Sequence, residues 1–214
     1  TGLLTLSANH ARTVSLAFST SQAMSCFERK IVVTGIGVIA PNGQTLDDFW
    51  LSLCAGKSSA DFITRFDTSE MPCKVGCEIK NFDATRFIDA KKARRYDRSI
   101  LYAVAAAKLA VKDASLDIGT LDLDRTGIYE GTSVSGLDNT LDAHSDFVAH
   151  GYRSIKPYNL INAFCGGASS EIALELGIHG QATTICTACS AGNDAIGYAV
   201  QAIRDDLGDV MIAG

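Results

Sequence analysis

Apolar, β-branched runs alternate with helical runs of small residues along most of this chain, and that alternation limits the folds open to it. Residues 30–38 (KIVVTGIGV) read as a buried strand. Thr45 can cap a helix that carries Asp47 and Asp48 in its first turn, Leu46, Phe49, Trp50, Leu53 and Cys54 on its apolar face, and Gly56 as its stop. Residues 57–90 are irregular, with a short strand at 77–79. A buried, Ala-rich helix runs from Lys91 or Asp97 to Ala114. Then follow a strand at 126–134, helices at 138–148 and 168–176, a strand at 182–187, a helix at 191–203 and a strand at 209–213. Strands and helices of these lengths in this order imply βαβ units and a mixed or parallel sheet covered on both faces.

Bulk properties agree with one substantial core. Of 214 residues, 47% are hydrophobic and 20% charged, with 19 Gly and only 3 Pro. A net charge of −5 gives no reason to expect nucleic acid as a partner. No run approaches the roughly 18 uninterrupted apolar residues of a membrane span. Seven cysteines, an odd number, point to a reducing compartment rather than a disulfide framework. Residues 1–23 hold eight Ser/Thr, one Arg and no acidic residue. They read as a disordered or upstream tail, with a transit-type segment as the alternative, and the domain as 24–214. The cytoplasm is the expected location, or an organelle if the tail is a transit segment. The chain stops on a core-type strand, which reads as a fragment.

Cys189 is the residue richest in chemistry. It lies in Thr187-Ala188-Cys189-Ser190-Ala191-Gly192, where the 182–187 strand hands over to a helix. Unpaired amides and the positive end of a helix dipole favour thiolate over thiol at such a junction, as nucleophilic thioester chemistry requires. Cys186 and Cys189 also form a C-x-x-C, and Cys73 and Cys77 a C-x₃-C. A zinc or thiol-redox binding module is therefore the alternative reading. Against it, Cys186 sits in an apolar strand and reads as a buried, inert thiol, and Cys26, Cys54 and Cys165 read as ordinary small apolar residues. The loop Gly131-Thr132-Ser133-Val134-Ser135-Gly136 lacks the Gly-Lys-Ser/Thr ending of a P-loop. Lys91, Lys92, Arg94, Arg95 and Arg98 form a basic cluster, which on its own is most often a solvated helix end.

Three ordered stretches, residues 32–38 (VVTGIGV), 187–192 (TACSAG) and 193–199 (NDAIGYA) running on to 209–214 (DVMIAG), resemble the β-ketoacyl-acyl-carrier-protein synthases. The likeness covers residues 24–214 and is greatest to the elongating type, related to synthase II and to ketosynthases of type II polyketide systems. It implies a thiolase-like fold of two similar α-β-α halves, of which this chain is the N-terminal half with a mixed five-stranded sheet, the C-terminal half being absent. It implies a homodimer packed through its sheets and no cofactor. It implies that Cys189 accepts an acyl group from phosphopantetheine on an acyl carrier protein. A malonyl unit on a second carrier then loses carbon dioxide, and its carbanion attacks the thioester to give a 3-oxoacyl chain. By the same resemblance Val134 limits chain length at the acyl pocket, Tyr158 and Asn159 lie on the partner-subunit side of that pocket, and Lys91, Arg94 and Arg95 dock the carrier. The two histidines, the lysine and the Gly-Phe-Gly-Gly loop that complete the family's machinery belong to the second half. His10, His144, His150 and His179 match none of these motifs, and the residues present are expected to be incompetent for condensation alone. The presence of Cys189 separates the chain from chain-length partners that lack the nucleophile, and the basic cluster from degradative thiolases that use coenzyme A.

Overall fold

The computed structural model describes residues 2–8 and 30–214. In chain order the elements are β1 (Gly2–Ala8), β2 (Ile31–Val38), α1 (Leu46–Cys54), β3 (Asp61–Phe62), β4 (Val75–Gly76), α2 (Ala90–Ala93), α3 (Arg98–Asp113), β5 (Thr126–Gly131), α4 (Leu137–His150), α5 (Pro157–Ala163), α6 (Gly167–Leu176), β6 (Ala182–Ile185), α7 (Ala191–Arg204) and β7 (Val210–Ala213). Short 3-10 turns join several of them. The main sheet is five-stranded and mixed, in the order β2-β1-β7-β5-β6. Strands β7, β5 and β6 are parallel, while β1 runs antiparallel to both β2 and β7. The expected mixed α/β sheet is present.

Two apolar cores lie on the sheet's two faces. On one, α3 and α6 cover Leu3, Ile128 and Ile212; on the other, α7 covers Leu6, Tyr129, Met211 and Ala213. Alternation along each strand sends neighbouring side chains to opposite faces, so one buried strand feeds both cores. Helix α3 is buried along almost its whole Ala-rich length, as its sequence predicts. Its small residues let it close on β2: a Cβ on Gly37 would fall 1.9 Å from the Ala106 carbonyl oxygen, so only glycine fits there.

Three sequence expectations are corrected. Residues 2–8 are not a tail outside the domain; they form β1, inserted between β2 and β7, with Leu3, Thr5 and Leu6 buried. The remainder of the expected tail, Thr1 and residues 9–23, lies outside the described residues. The 30–38 strand is not buried throughout, because it forms an edge of the sheet and leaves Val32 and Val33 exposed. Helix α1 forms with the predicted Thr45 cap, yet none of its residues is buried and Trp50 is 62% exposed. Periodicity identifies the apolar face of α1 but cannot supply a surface to cover it. Boundaries also move: the strand expected at 126–134 ends at Gly131, the one at 182–187 ends at Ile185, and the short strand at 77–79 is replaced by β4 at 75–76.

Candidate active site

The parallel strands β5, β6 and β7 end together, and the chain segments leaving them meet there. The Gly131 amide donates to the Gly214 carbonyl at 2.8 Å, and the Thr132 amide to the Ile185 carbonyl at 2.9 Å. Gly131 abuts the start of α7 so closely that a Cβ would lie 2.2 Å from the Ala191 carbonyl oxygen. The carboxyl ends of parallel strands are where open α/β sheets place their ligands.

Cys189 stands at this end. It is exposed and in no disulfide, in a 3-10 turn spanning Ala188–Ser190 that leads directly into α7, two residues ahead of its first residue. Ala188 holds a left-handed backbone, φ 55°, which costs a non-glycine residue about 1–2 kcal/mol. A sharp, strained strand-to-helix turn of this kind lifts a nucleophile clear of a sheet. The turn is fastened from behind by Asp194, one turn into α7. Its Oδ2 accepts from the Thr187 hydroxyl and, at 3.0 Å, from the Ser190 hydroxyl, so the residues on either side of the Ala188–Cys189 pair share one carboxylate. Sequence reasoning misses Asp194 as a site residue, although Thr187 and Ser190 at i−7 and i−4 from an aspartate at a helix start carry the signal.

Val134 lies in the loop after β5 and is 65% exposed. That loop touches α5 through Gly136, whose left-handed backbone (φ 64°) passes so near the Asn162 carbonyl that a Cβ would sit 1.7 Å from it. Tyr158 and Asn159 are in α5, both half-buried. The Asn159 side-chain oxygen accepts from the Lys156 amide at 2.9 Å, capping the helix. The Val134 loop and the Cys189 turn thus issue from adjacent strand ends, and α5 packs beside the former.

Lys91, Arg94 and Arg95 lie on α2 and the residues after it, and all three are exposed. Lys92 is different: its Nζ donates at 2.7 Å to both Glu171 and Glu175 of α6, and Glu175 also takes Lys108 at 2.5 Å. Hydrogen bonds to these two carboxylates push Lys92 well above the usual lysine range, outweighing its burial. The basic surface is joined to the rest by Asn162, fully buried, whose amide donates to the Arg95 carbonyl at 2.8 Å and to Asn139 at 3.1 Å, while its oxygen accepts from the Asp97 amide at 2.9 Å.

Glu130 is the other group that sequence reasoning misses. It lies on the α6 side of β5, opposite Thr184 of β6, with its Oε2 buried and without a hydrogen-bond partner among the described residues. Burial pushes its carboxyl up to about 7, against a hydrogen bond from Thr184.

The two C-x-x-C-like pairs do not form a metal site. Cys73, Cys77, Cys186 and Cys189 are all exposed, and among the described residues no group of three or more His, Cys, Asp or Glu could hold a metal ion. The expectation that Cys186 is buried is wrong, because β6 is an edge strand and its end is open. Cys54 is exposed and Cys165 half-buried rather than core; Cys26 lies outside the described residues. His150 and His179 are surface residues facing Asp146 and Asp124, His144 is exposed, and His10 lies outside the described residues. No helix among the described residues is long and apolar enough to cross a membrane.

Comparison with known proteins matches this arrangement. Residues 28–214 fit the family model of the β-ketoacyl synthase N-terminal domain. The chain is 38% identical over 187 residues to 3-oxoacyl-[acyl-carrier-protein] synthase 2 of Synechocystis sp., covering 87% of this chain and 45% of that protein. It is 33% identical over 187 residues to the Coxiella burnetii protein of the same name, with the same coverage. Among solved structures, the ishigamide ketosynthase/chain length factor superposes with a TM-score of 0.76 at 34% identity, covering 85% of this chain and 45% of that one. A type II polyketide acyl-carrier protein in complex with its ketosynthase superposes with 0.73 at 27% identity, covering 86% and 50%. The chain belongs to the β-ketoacyl synthase family, and its fold is that of the N-terminal, thiolase-like half. It spans about half the length of the curated relatives it matches.

Proposed function

We propose that this chain supplies the acyl-accepting half of a 3-oxoacyl-[acyl-carrier-protein] synthase, with Cys189 as the nucleophile. The observation that carries the reading is the exposed thiol on a left-handed turn at the strand ends, two residues before α7. The Cys189 sulfur attacks the carbonyl carbon of a carrier-bound acyl thioester, the carrier's phosphopantetheine thiolate leaves, and a new thioester forms on Cys189. The Cys189 N–H in the 3-10 turn and the first-turn amides of α7 are the groups available to the developing oxyanion. Malonyl-carrier protein then loses carbon dioxide, and its carbanion displaces Cys189 to give the 3-oxoacyl product. The described residues place no histidine pair at the thiol for that decarboxylation, so the half is proposed to be incompetent for condensation alone.

Val134 borders the acyl chain in this reading, with Tyr158 and Asn159 on the other side of the pocket. Lys91, Arg94 and Arg95 receive the acidic carrier. Their place at the surface supports this, and so does one solved relative, a ketosynthase in complex with its acyl-carrier protein. A homodimer would cover the apolar side chains that α4 and α5 leave open, Val148 and Leu160 among them. The six described cysteines, all free, suit the cytoplasm. The test is Cys189→Ala in the intact protein. It abolishes both the acyl adduct and the 3-oxoacyl product, and retention of either would overturn the assignment.

A further inference from the structure

Outside the nucleophile's turn, one cluster of reactive side chains is left unused. Strand β6 presents alternate residues, Ala182, Thr184 and, just past its end, Cys186, to a cavity of about 330 Å³. The opposite wall is the start of α6 and the residues before it, Cys165 and Ser169 among them. The two walls are pinned together by the Ser169 and Thr184 hydroxyls, 2.7 Å apart. Cys165 is four residues before Ser169, and Cys186 is two residues after Thr184 on the same strand face. The next side chains past that pin are therefore the two thiols, which line the same cavity from its two walls.

We propose that Cys165 and Cys186 form a redox-active dithiol that closes to a disulfide and leaves Cys189 free. A disulfide of roughly 2.05 Å needs Cβ atoms about 3.5–4.5 Å apart, an approach that walls joined by the 2.7 Å Ser169–Thr184 contact favour. The oxidant is a small disulfide such as oxidised glutathione. One protein thiolate displaces a glutathione thiolate, and the second protein thiol then displaces the remaining glutathione from the mixed disulfide. Two protein S–H bonds and one glutathione S–S bond break. One protein S–S bond and two glutathione S–H bonds form, and the two electrons pass to glutathione. Although Cys186 as a residue is exposed, local desolvation at its sulfur, the Cys165 sulfur and the Glu130 carboxylate push its thiol up, so exchange is faster in mildly alkaline buffer. This pairing differs from the C-x-x-C reading of the sequence. Cys189 lies beyond the Ala188 turn, while Cys186 belongs to the β6 face and its partner comes from the approach to α6.

The test is peptide mapping of the folded, intact protein after treatment with oxidised glutathione and alkylation of the remaining thiols with iodoacetamide. The expected result is a disulfide-linked pair of peptides carrying Cys165 and Cys186. Dithiothreitol removes it, and Cys165→Ser replaces it with a glutathione adduct on Cys186. With unchanged far-ultraviolet circular dichroism, linkage of Cys186 to Cys189, or only separate glutathione adducts on Cys165 and Cys186, would overturn the proposal. The readout contains no condensation step, so its failure leaves the proposed role of Cys189 untouched.

Discussion

The Ser190 hydroxyl donates to Asp194 Oδ2 at 3.0 Å, and the same oxygen takes the Thr187 hydroxyl, so a single carboxylate on α7 holds the turn that carries Cys189. The Ser190 hydroxyl also lies 3.0 Å from the Thr187 carbonyl, which closes the turn on itself. Asp194→Ala leaves the Thr187 hydroxyl to water and the Ser190 hydroxyl with only the Thr187 carbonyl, and lets the left-handed Ala188 relax. Hydrogen bonds to a charged group contribute about 1.5–3 kcal/mol each, and solvent reduces that here. The expected outcome is a fall of several-fold in the rate of Cys189 alkylation by iodoacetamide, with a stability loss of about 1 kcal/mol. Alkylation at the native rate would show that the turn holds without Asp194.

Two glycines on neighbouring elements separate packing from propensity. Gly131→Ala places a methyl 2.2 Å from the Ala191 carbonyl oxygen and pushes the first turn of α7 away from β5. Overpacking against backbone costs about 1–3 kcal/mol or more, and the variant should lose Cys189 reactivity as well. Gly197→Ala, inside α7 with nothing within 4 Å of the new methyl, should instead stabilise by about 0.5–1 kcal/mol. Urea-unfolding midpoints of the two variants check both signs.

Glu130 makes stability depend on pH in a direction opposite to that of a salt-bridged acid. Its carboxyl titrates at about 7 in the folded chain and near 4.5 when unfolded, so the folded state holds the extra proton between those values. Stability therefore falls as pH rises from about 4.5 to about 7, by up to about 3 kcal/mol. Glu130→Gln removes this component. Its unfolding free energy, compared with that of the native chain at several pH values, should be relatively higher above pH 7 and converge below 4.5. A constant difference across that window would mean that Glu130 is charged at all these pH values.

Arg94 and Arg95 lie outside the buried core, so reversing their charge tests docking without disturbing its packing. Arg94→Glu with Arg95→Glu in the intact protein should raise the KM for carrier-bound substrate and spare small thioester mimics, with a weaker difference at high salt. Equal losses with both substrates would count against a docking role. Lys92 is not part of such a surface, since Glu171 and Glu175 claim it.

Local signals carry most of the fold. The Thr45 cap, the Ala-rich face of α3 and the β-branched runs all act over a few residues, and each of these elements forms close to where the sequence places it. What escapes is non-local. Nothing in residues 2–8 (GLLTLSA) announces that their two faces will meet two different cores. The exposure of Trp50 and of Val32 depends on what packs against them, which periodicity does not encode. At the site, Cys189 is legible because a small-residue strand–helix junction is a local pattern. The buried Glu130, the Lys92–Glu171 pair and the cavity shared by Cys165 and Cys186 join positions far apart in the chain, and composition gives no hint of them.

The role of Cys189 is decided by incubating the intact protein with an acyl thioester of carrier protein, digesting it, and locating the acylated peptide by mass spectrometry. The expected result is one acyl group, on the peptide containing Cys189, lost in Cys189→Ala and much reduced in Asp194→Ala. An acyl group on any other cysteine, or none on a folded protein, would contradict that role.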